Sequence, residues 1–448
     1  MIRLVLLACA ALVISPFAAG AFPPSDAPEL AARGDYAVGY SGLTLVNPDQ
    51  PDPQSGGRAD RSLDLAIWYP AKARPDQKEE IIYRSPTPFT PTIDPADLPA
   101  EITRQGRAIL DGEPVRGEAF PLLVVSHGYQ NWTSLYSWLG EAMASKGYVV
   151  VAIAHRDILP VNAMVQQLSF ATTVAHRSRD QRFVITALQE LAADGESPWH
   201  DLYDPQKIAL LGYSMGGFGA ITTAGAGYDP ASLVMQSMPK DIMQGMLDTD
   251  APPPPEGVKA LVAFAPWGYQ PPFSSWRPEA LAQITLPSLF IDGDLDDVSD
   301  YAKGVRPLWQ AMTGSDRYLL SFQNARHNIA VNDAPPELKD YFQFRERLEE
   351  PVWRTDRILA INIHMITAFL DWTLKGDDAA RSYLDVPTPL ANDGVWPIGQ
   401  GEQVGAALAD EAGASAGYWR GFHRRWAVGL QLEHLLPSAD GAANVTGD

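Results

Sequence analysis

The chain has 448 residues, 46 % of them hydrophobic, with 54 acidic against 34 basic side chains and a net charge of -20 at pH 7. That apolar content excludes a disordered chain, and the length allows one large domain or two to three ordinary ones. The acidic excess argues against nucleic acid and anionic membrane surfaces as partners, because both would repel it.

Residues 1–21 read as a secretory signal. Arg3 supplies the positive start, Leu4 to Ile14 the apolar stretch, and Ala19-Gly20-Ala21 a small-residue cleavage site. The stretch is too short for a membrane span, which needs about 20 residues. Cys9 is the only cysteine and lies within it. Leu6-Leu7-Ala8-Cys9 is similar to a lipoprotein cleavage site, but too little apolar chain precedes it. A periplasmic or secreted protein is expected, without a disulfide, thiol nucleophile or thiolate metal site.

Tyr36 to Val46 and Ser62 to Tyr69 are predicted strands, joined by a polar loop over Asn47 to Arg61. Residues 71–117 are proline-rich and expected to wrap the surface. Continuous apolar runs then follow at 122–125, 148–154, 207–211, 260–264, 287–291 and 318–322. Such runs suit parallel strands covered on both faces. Helical patterns lie between them at Tyr136 to Lys146, Arg179 to Ala193, Gly217 to Ala224 and Ala302 to Met312. The alternation predicts a mostly parallel, doubly wound α/β sheet. Residues 228–257 interrupt it and read as an insertion near the active site, a candidate lid. A helix is predicted over Arg357 to Lys375. Residues 385–448 form a C-terminal extension whose segment Tyr418 to Leu436 is amphipathic enough to dock on the 22–384 body.

Gly212-Tyr213-Ser214-Met215-Gly216 fits the G-x-S-x-G nucleophile elbow and sits between an apolar strand and a helix, the context it requires. Ser214 is the candidate nucleophile. A serine hydroxyl needs a base, and the base needs an orienting carboxylate. His327, just after the predicted strand at 318–322, is the candidate base. The acid comes from the Asp292-to-Val298 loop, with Asp296 preferred and Asp294 and Asp297 as rivals. Asp292, Asp294 and Asp296 mimic the start of a calcium loop, but Asp297 and Lys303 stand where that loop needs Gly and Glu. The amides of Met215 and Tyr129, the latter after Ser126-His127-Gly128, are the candidate oxyanion donors. His155 and His176 are expected to be structural or pocket-lining, and His364, His423 and His434 to lie on helices. No metal constellation has credible spacing.

Together Ser-His-Gly-Tyr at 126–129, Gly-Tyr-Ser-Met-Gly-Gly at 212–217, the Asp296 loop, Ala-Arg-His-Asn at 325–328 and Ala-Ile-Trp-Tyr-Pro at 66–70 resemble the dienelactone-hydrolase-like and platelet-activating-factor-acetylhydrolase-like branch of the α/β hydrolases. The resemblance covers roughly residues 36–375. It implies an α/β-hydrolase fold and a serine esterase without cofactor or metal, acting on small-molecule esters. True dienelactone hydrolases use cysteine where this chain has Ser214. A narrower resemblance to bacterial polyester hydrolases rests on Tyr129, Ser214-Met215 and Ala265-Pro266-Trp267, and implies that Trp267 borders the substrate pocket. A lipase or phospholipase-type activity and a non-catalytic binding protein are the other readings.

Overall fold

The computed structural model describes residues 22–52, 54–238, 252–396 and 417–438. In chain order the strands are β1 (Ala37–Asp52), β2 (Gly57–Ala71), β3 (Ile81–Pro86), β4 (Glu101–Gly106), β5 (Ile109–Leu110), β6 (Phe120–Ser126), β7 (Val149–Ala154), β8 (Tyr203–Tyr213), β9 (Val258–Phe264), β10 (Ser288–Gly293), β11 (Arg317–Phe322) and β12 (Leu430–Leu435). Ten of them form one sheet, in the order β12-β11-β10-β9-β8-β6-β7-β2-β1-β5. The centre, β7 through β11, is parallel. β2 and β12 add antiparallel to its two sides. Every residue of β6, β10 and β11 is buried. This is why these strands read as unbroken apolar runs: a sheet with helices on both faces has no wet side.

The helices are α1 (Ser137–Ser145), α2 (Ala163–Ala193), α3 (Met215–Thr223), α4 (Leu233–Gln236), α5 (Pro278–Ala282), α6 (Arg306–Ala311), α7 (Phe342–Leu348), α8 (Thr355–Lys375) and α9 (Asp378–Arg381). The two-residue period of β6 divides the core. Leu123 and Val125 pack into the layer of α1 and α8, while Leu122 and Val124 pack into that of α2, α3 and α6. α8 buries Ile358, Ile361, Met365 and Phe369 and stops at Gly376, whose φ of 72° suits a glycine cap.

Several expectations need correction. Asn47 to Arg61 is not a loop: β1 and β2 stay paired to Asp52 and Gly57, with a bulge between Asn47 and Gln50. This ribbon tip is largely exposed, so no apolar alternation marks it. Within 71–117, β3 and β4 form a separate antiparallel pair and β5 adds to the edge at β1. The helix predicted from Arg179 starts sixteen residues earlier, at Ala163 (179 minus 163), behind an Asn162 cap that accepts from Val165 N at 3.0 Å. β12, from the segment Tyr418 to Leu436, pairs antiparallel with β11. His434 lies in β12 and His423 in an irregular loop, not on helices.

Candidate active site

β8 ends at Tyr213 and α3 begins at Met215, so Ser214 alone makes the turn, with φ 52° and ψ -115°. A non-glycine residue held there is strained and must be fixed by its surroundings. Ser214 N donates to Phe264 O at 2.9 Å, and Ser214 O accepts from Phe218 N at 2.9 Å and Trp267 N at 3.2 Å. The elbow glycines are steric necessities. A Cβ on Gly212 would collide with the Gly216 backbone, and one on Gly216 with the carbonyl of Ser126.

The loops after β10 and β11 meet beside Ser214. His327 Nδ1 lies 2.8 Å from Asp296 Oδ2. Asp296 Oδ1 accepts from the amides of Val298 at 2.7 Å and Ser299 at 3.0 Å. Burial would raise this carboxyl, but the His327 charge, its hydrogen bond and the two amides outweigh burial and hold it below its ordinary value. The rivals are engaged elsewhere: Asp294 Oδ1 accepts from Asn324 N at 2.7 Å, and Asp297 pairs with Arg326. Tyr213 packs tilted against the His327 ring at 5.1 Å and donates to His327 O at 3.3 Å.

Tyr129 is tied down at every group but one. Its hydroxyl meets Ser169 Oγ at 2.7 Å, its carbonyl accepts from Arg347, and the next amide, Gln130 N, donates to Asp157 at 2.9 Å. The Tyr129 N–H makes no hydrogen bond among the described residues. Met215 is the first residue of α3, so its N–H has no intrahelical partner.

Ser214, His327, Tyr129 and Tyr213 face a cavity of about 730 Å³, another wall of which is Phe342 and residues 345–347 with 349–351. That wall was expected from residues 228–257. Their described part does not line the cavity: Tyr228 stacks on Phe218 at 5.4 Å, and residues 239–251 lie outside the described residues. Trp267 does not line the cavity either. It packs on Phe170 and Phe218, with its amide on Ser214 O.

Sequence reasoning missed the buried polar bed under the Tyr129 loop. Arg177 makes two 2.7 Å bonds to Asp157 and one of 3.2 Å to Gly128 O. His155 joins Ser126 Oγ and Asp180 at 2.8 Å each, and Asp180 takes a bidentate pair from Arg61. Burial pushes His155 down to about 4 and His127 to about 3, so both rings are neutral near neutral pH. The available signal was Arg177, Asp180 and Gln181 at i, i+3 and i+4, a polar stripe on one helix face.

A family model described as platelet-activating factor acetylhydrolase, isoform II, matches residues 106–193, which include the Tyr129 loop and all of α2. Cutinase est1 of Thermobifida alba is 24 % identical over 265 residues, 57 % of this chain and 72 % of that protein. Cutinase est2 of the same organism is also 24 % identical, and the chain spans only 55 % of its length. A bis(hydroxyethyl) terephthalate hydrolase of Streptomyces coelicolor is 24 % identical over 209 residues, 46 % of this chain and 50 % of that protein. Among solved structures, a ferulic acid esterase from Streptomyces cinnamoneus superposes with a TM-score of 0.50 at 19 % identity, over 78 % of this chain and 94 % of that one. The chain has an α/β-hydrolase fold, and in sequence it is similar to cutinases and related ester hydrolases.

Proposed function

We propose that the protein hydrolyses carboxylic esters through an acyl-enzyme on Ser214. The observation that carries this reading is the strained Ser214 turn opening into the same cavity as His327, whose Nδ1 pairs with Asp296 behind it. Ser214 Oγ attacks the ester carbonyl while His327 Nε2 takes its proton. The amides of Tyr129 and Met215 receive the oxyanion, and Asp296 orients the imidazole and offsets its charge. The C–O bond to the alcohol breaks as His327 returns the proton to it. Water, deprotonated by His327, then releases the acid and restores Ser214. A cavity of about 730 Å³ suits a small or medium ester.

Hydrolysis of p-nitrophenyl esters from acetate to palmitate tests this. The parent is expected to turn over the shorter esters, and Ser214→Ala to lose about 10⁴-fold or more in kcat. An equally active Ser214→Ala would sink the assignment. A polyester reading is favoured by the named relatives, cutinases and a terephthalate-ester hydrolase. Release of free terephthalate from bis(hydroxyethyl) terephthalate and from amorphous film separates the two. A soluble diester cleaved without any release from film keeps the small-ester reading.

The same reading has residues 22–384 as the hydrolase unit and 385–448 as an extension packed on it. It has residues 1–21, which lie outside the described residues, directing export. Among the described residues no helix is long and apolar enough to cross a membrane. A mature protein beginning at Phe22 is the expected outcome of N-terminal sequencing.

A further inference from the structure

One wall of the Ser214 cavity is a strap, α7 and the residues after it, that holds both the Tyr129 and the His327 loops. Arg347 donates to the carbonyls of Tyr129 and Gln130. Asn328 Nδ2 donates to Glu346 O at 2.7 Å and Glu349 O at 3.2 Å. Glu350 then closes the strap onto the base. Its Oε2 accepts from Arg326 N at 2.7 Å and its Oε1 from Asn328 N at 2.8 Å, the two amides that bracket His327. The residue is 7 % exposed, and no basic side chain pairs with it among the described residues. A buried carboxylate without a cation is costly, and a glutamine could not replace it: its amide group would face an N–H on one side.

We propose that Glu350 is a positioning residue for His327. It fixes the backbone on both sides of the base and places a second negative charge, beyond Asp296, beside the imidazolium formed in each half-reaction. The titratable groups that face it are His327, Asp296 and Tyr213, with Asp292 behind Asp296. Burial raises Glu350 from its ordinary value, opposed by the two amides and by His327. The inference rests on the role given to His327.

The test compares Glu350→Gln and Glu350→Asp with the parent on a p-nitrophenyl ester, with rates expressed per site titrated by a phosphonate. Glu350→Gln should lower kcat about 10- to 100-fold with KM within about twofold, as removal of an orienting partner does. The acid limb of kcat/KM should move to lower pH, because loss of a nearby negative charge weakens proton binding by the base. Glu350→Asp keeps the charge and should keep the parental limb while recovering part of kcat. Parental kcat in Glu350→Gln, or a lower kcat with an unmoved limb, overturns the proposal. Should Glu350→Gln not fold, Glu350→Asp decides: parental kcat overturns it, and reduced kcat with the parental limb supports it. If the parent cleaves no ester, the hydrolase reading fails by itself. The pH titration of the His327 Nδ1 proton by NMR, lower in Glu350→Gln, then still reads the pairing.

Discussion

Asp294, Asp296 and Asp297 carry the same side chain within four positions, and the sequence alone ranks them only by their place in the turn. What separates them is the set of groups each one meets. Asp296 holds two amides with one oxygen and His327 with the other, while Asp297 reaches out to exposed Arg326. Asp296→Asn should keep the fold and lower kcat by about 10⁴-fold, because the amide no longer selects the tautomer or offsets the imidazolium. Asp294→Asn and Asp297→Asn should stay near the parental rate. Steady-state rates of the three variants check this, and a large loss in Asp297→Asn alone would reassign the acid. Ser214 and His327 were legible as candidates because elbow and chain order are local patterns; Glu350 was not, since its partners are backbone amides that any residue supplies. Gly216 shows the opposite case, a residue whose need is geometric. Gly216→Ala should cost about 1–3 kcal/mol or more by forcing its Cβ against the Ser126 carbonyl, measured as a lowered urea midpoint.

α2 shows why an element can hide from its own sequence. Its buried face includes Ser169, Thr172, Thr173, His176, Arg177, Ser178, Asp180 and Gln181, so apolar periodicity marks only its second half. Those side chains are buried because they meet polar partners, not because they are apolar: Ser169 and Arg177 at the Tyr129 loop, Asp180 at Arg61 and His155, Ser178 and Gln181 at α3. Breaking such a pair from one side leaves a buried charge alone. The Arg177 side chain is fully buried, and Asp157 is held well below its ordinary value, with burial opposed chiefly by Arg177. Asp157→Ala should therefore cost about 3–5 kcal/mol, and Asp157→Leu with Arg177→Met distinctly less. Urea denaturation of the single and double variants measures both. A loss under about 1 kcal/mol for the single change would show that water already reaches the pair. α7 was equally hidden. Phe342 is largely exposed, and the helix is short, so its importance lies in what its backbone and charged side chains hold.

The parallel centre of the sheet was readable because its burial on two faces writes an unbroken apolar run, whereas the β1–β2 ribbon tip, exposed on both, writes nothing. How the first described segment meets the last was unwritten. His364 on α8 accepts from Leu30 N at 3.1 Å and packs on Phe422 at 5.0 Å, so one buried ring joins the first described segment to the last. Burial pushes His364 down to about 3, His127 to about 3, and His155 and His176 to about 4, from an ordinary 6.5. The sign follows from proton counting. Below pH 6.5 the unfolded chain binds protons at these rings and the folded chain does not, so stability falls as pH drops from about 6.5 towards 4. Each ring contributes on the order of 1–2 kcal/mol of that loss by pH 5. The net charge of -20 works in the other direction, since acid relieves self-repulsion, but ordinary carboxylates gain few protons above pH 5. Burial also raises Asp292, Glu141 and Glu350, which oppose the fall by the same proton counting, but the four buried rings outnumber them between pH 7 and 5. Urea midpoints should fall across that window, and His364→Phe, which cannot titrate, should flatten the slope even if it lowers the midpoint at pH 7. An unchanged slope in that variant would mean that His364 takes up its proton without leaving its site.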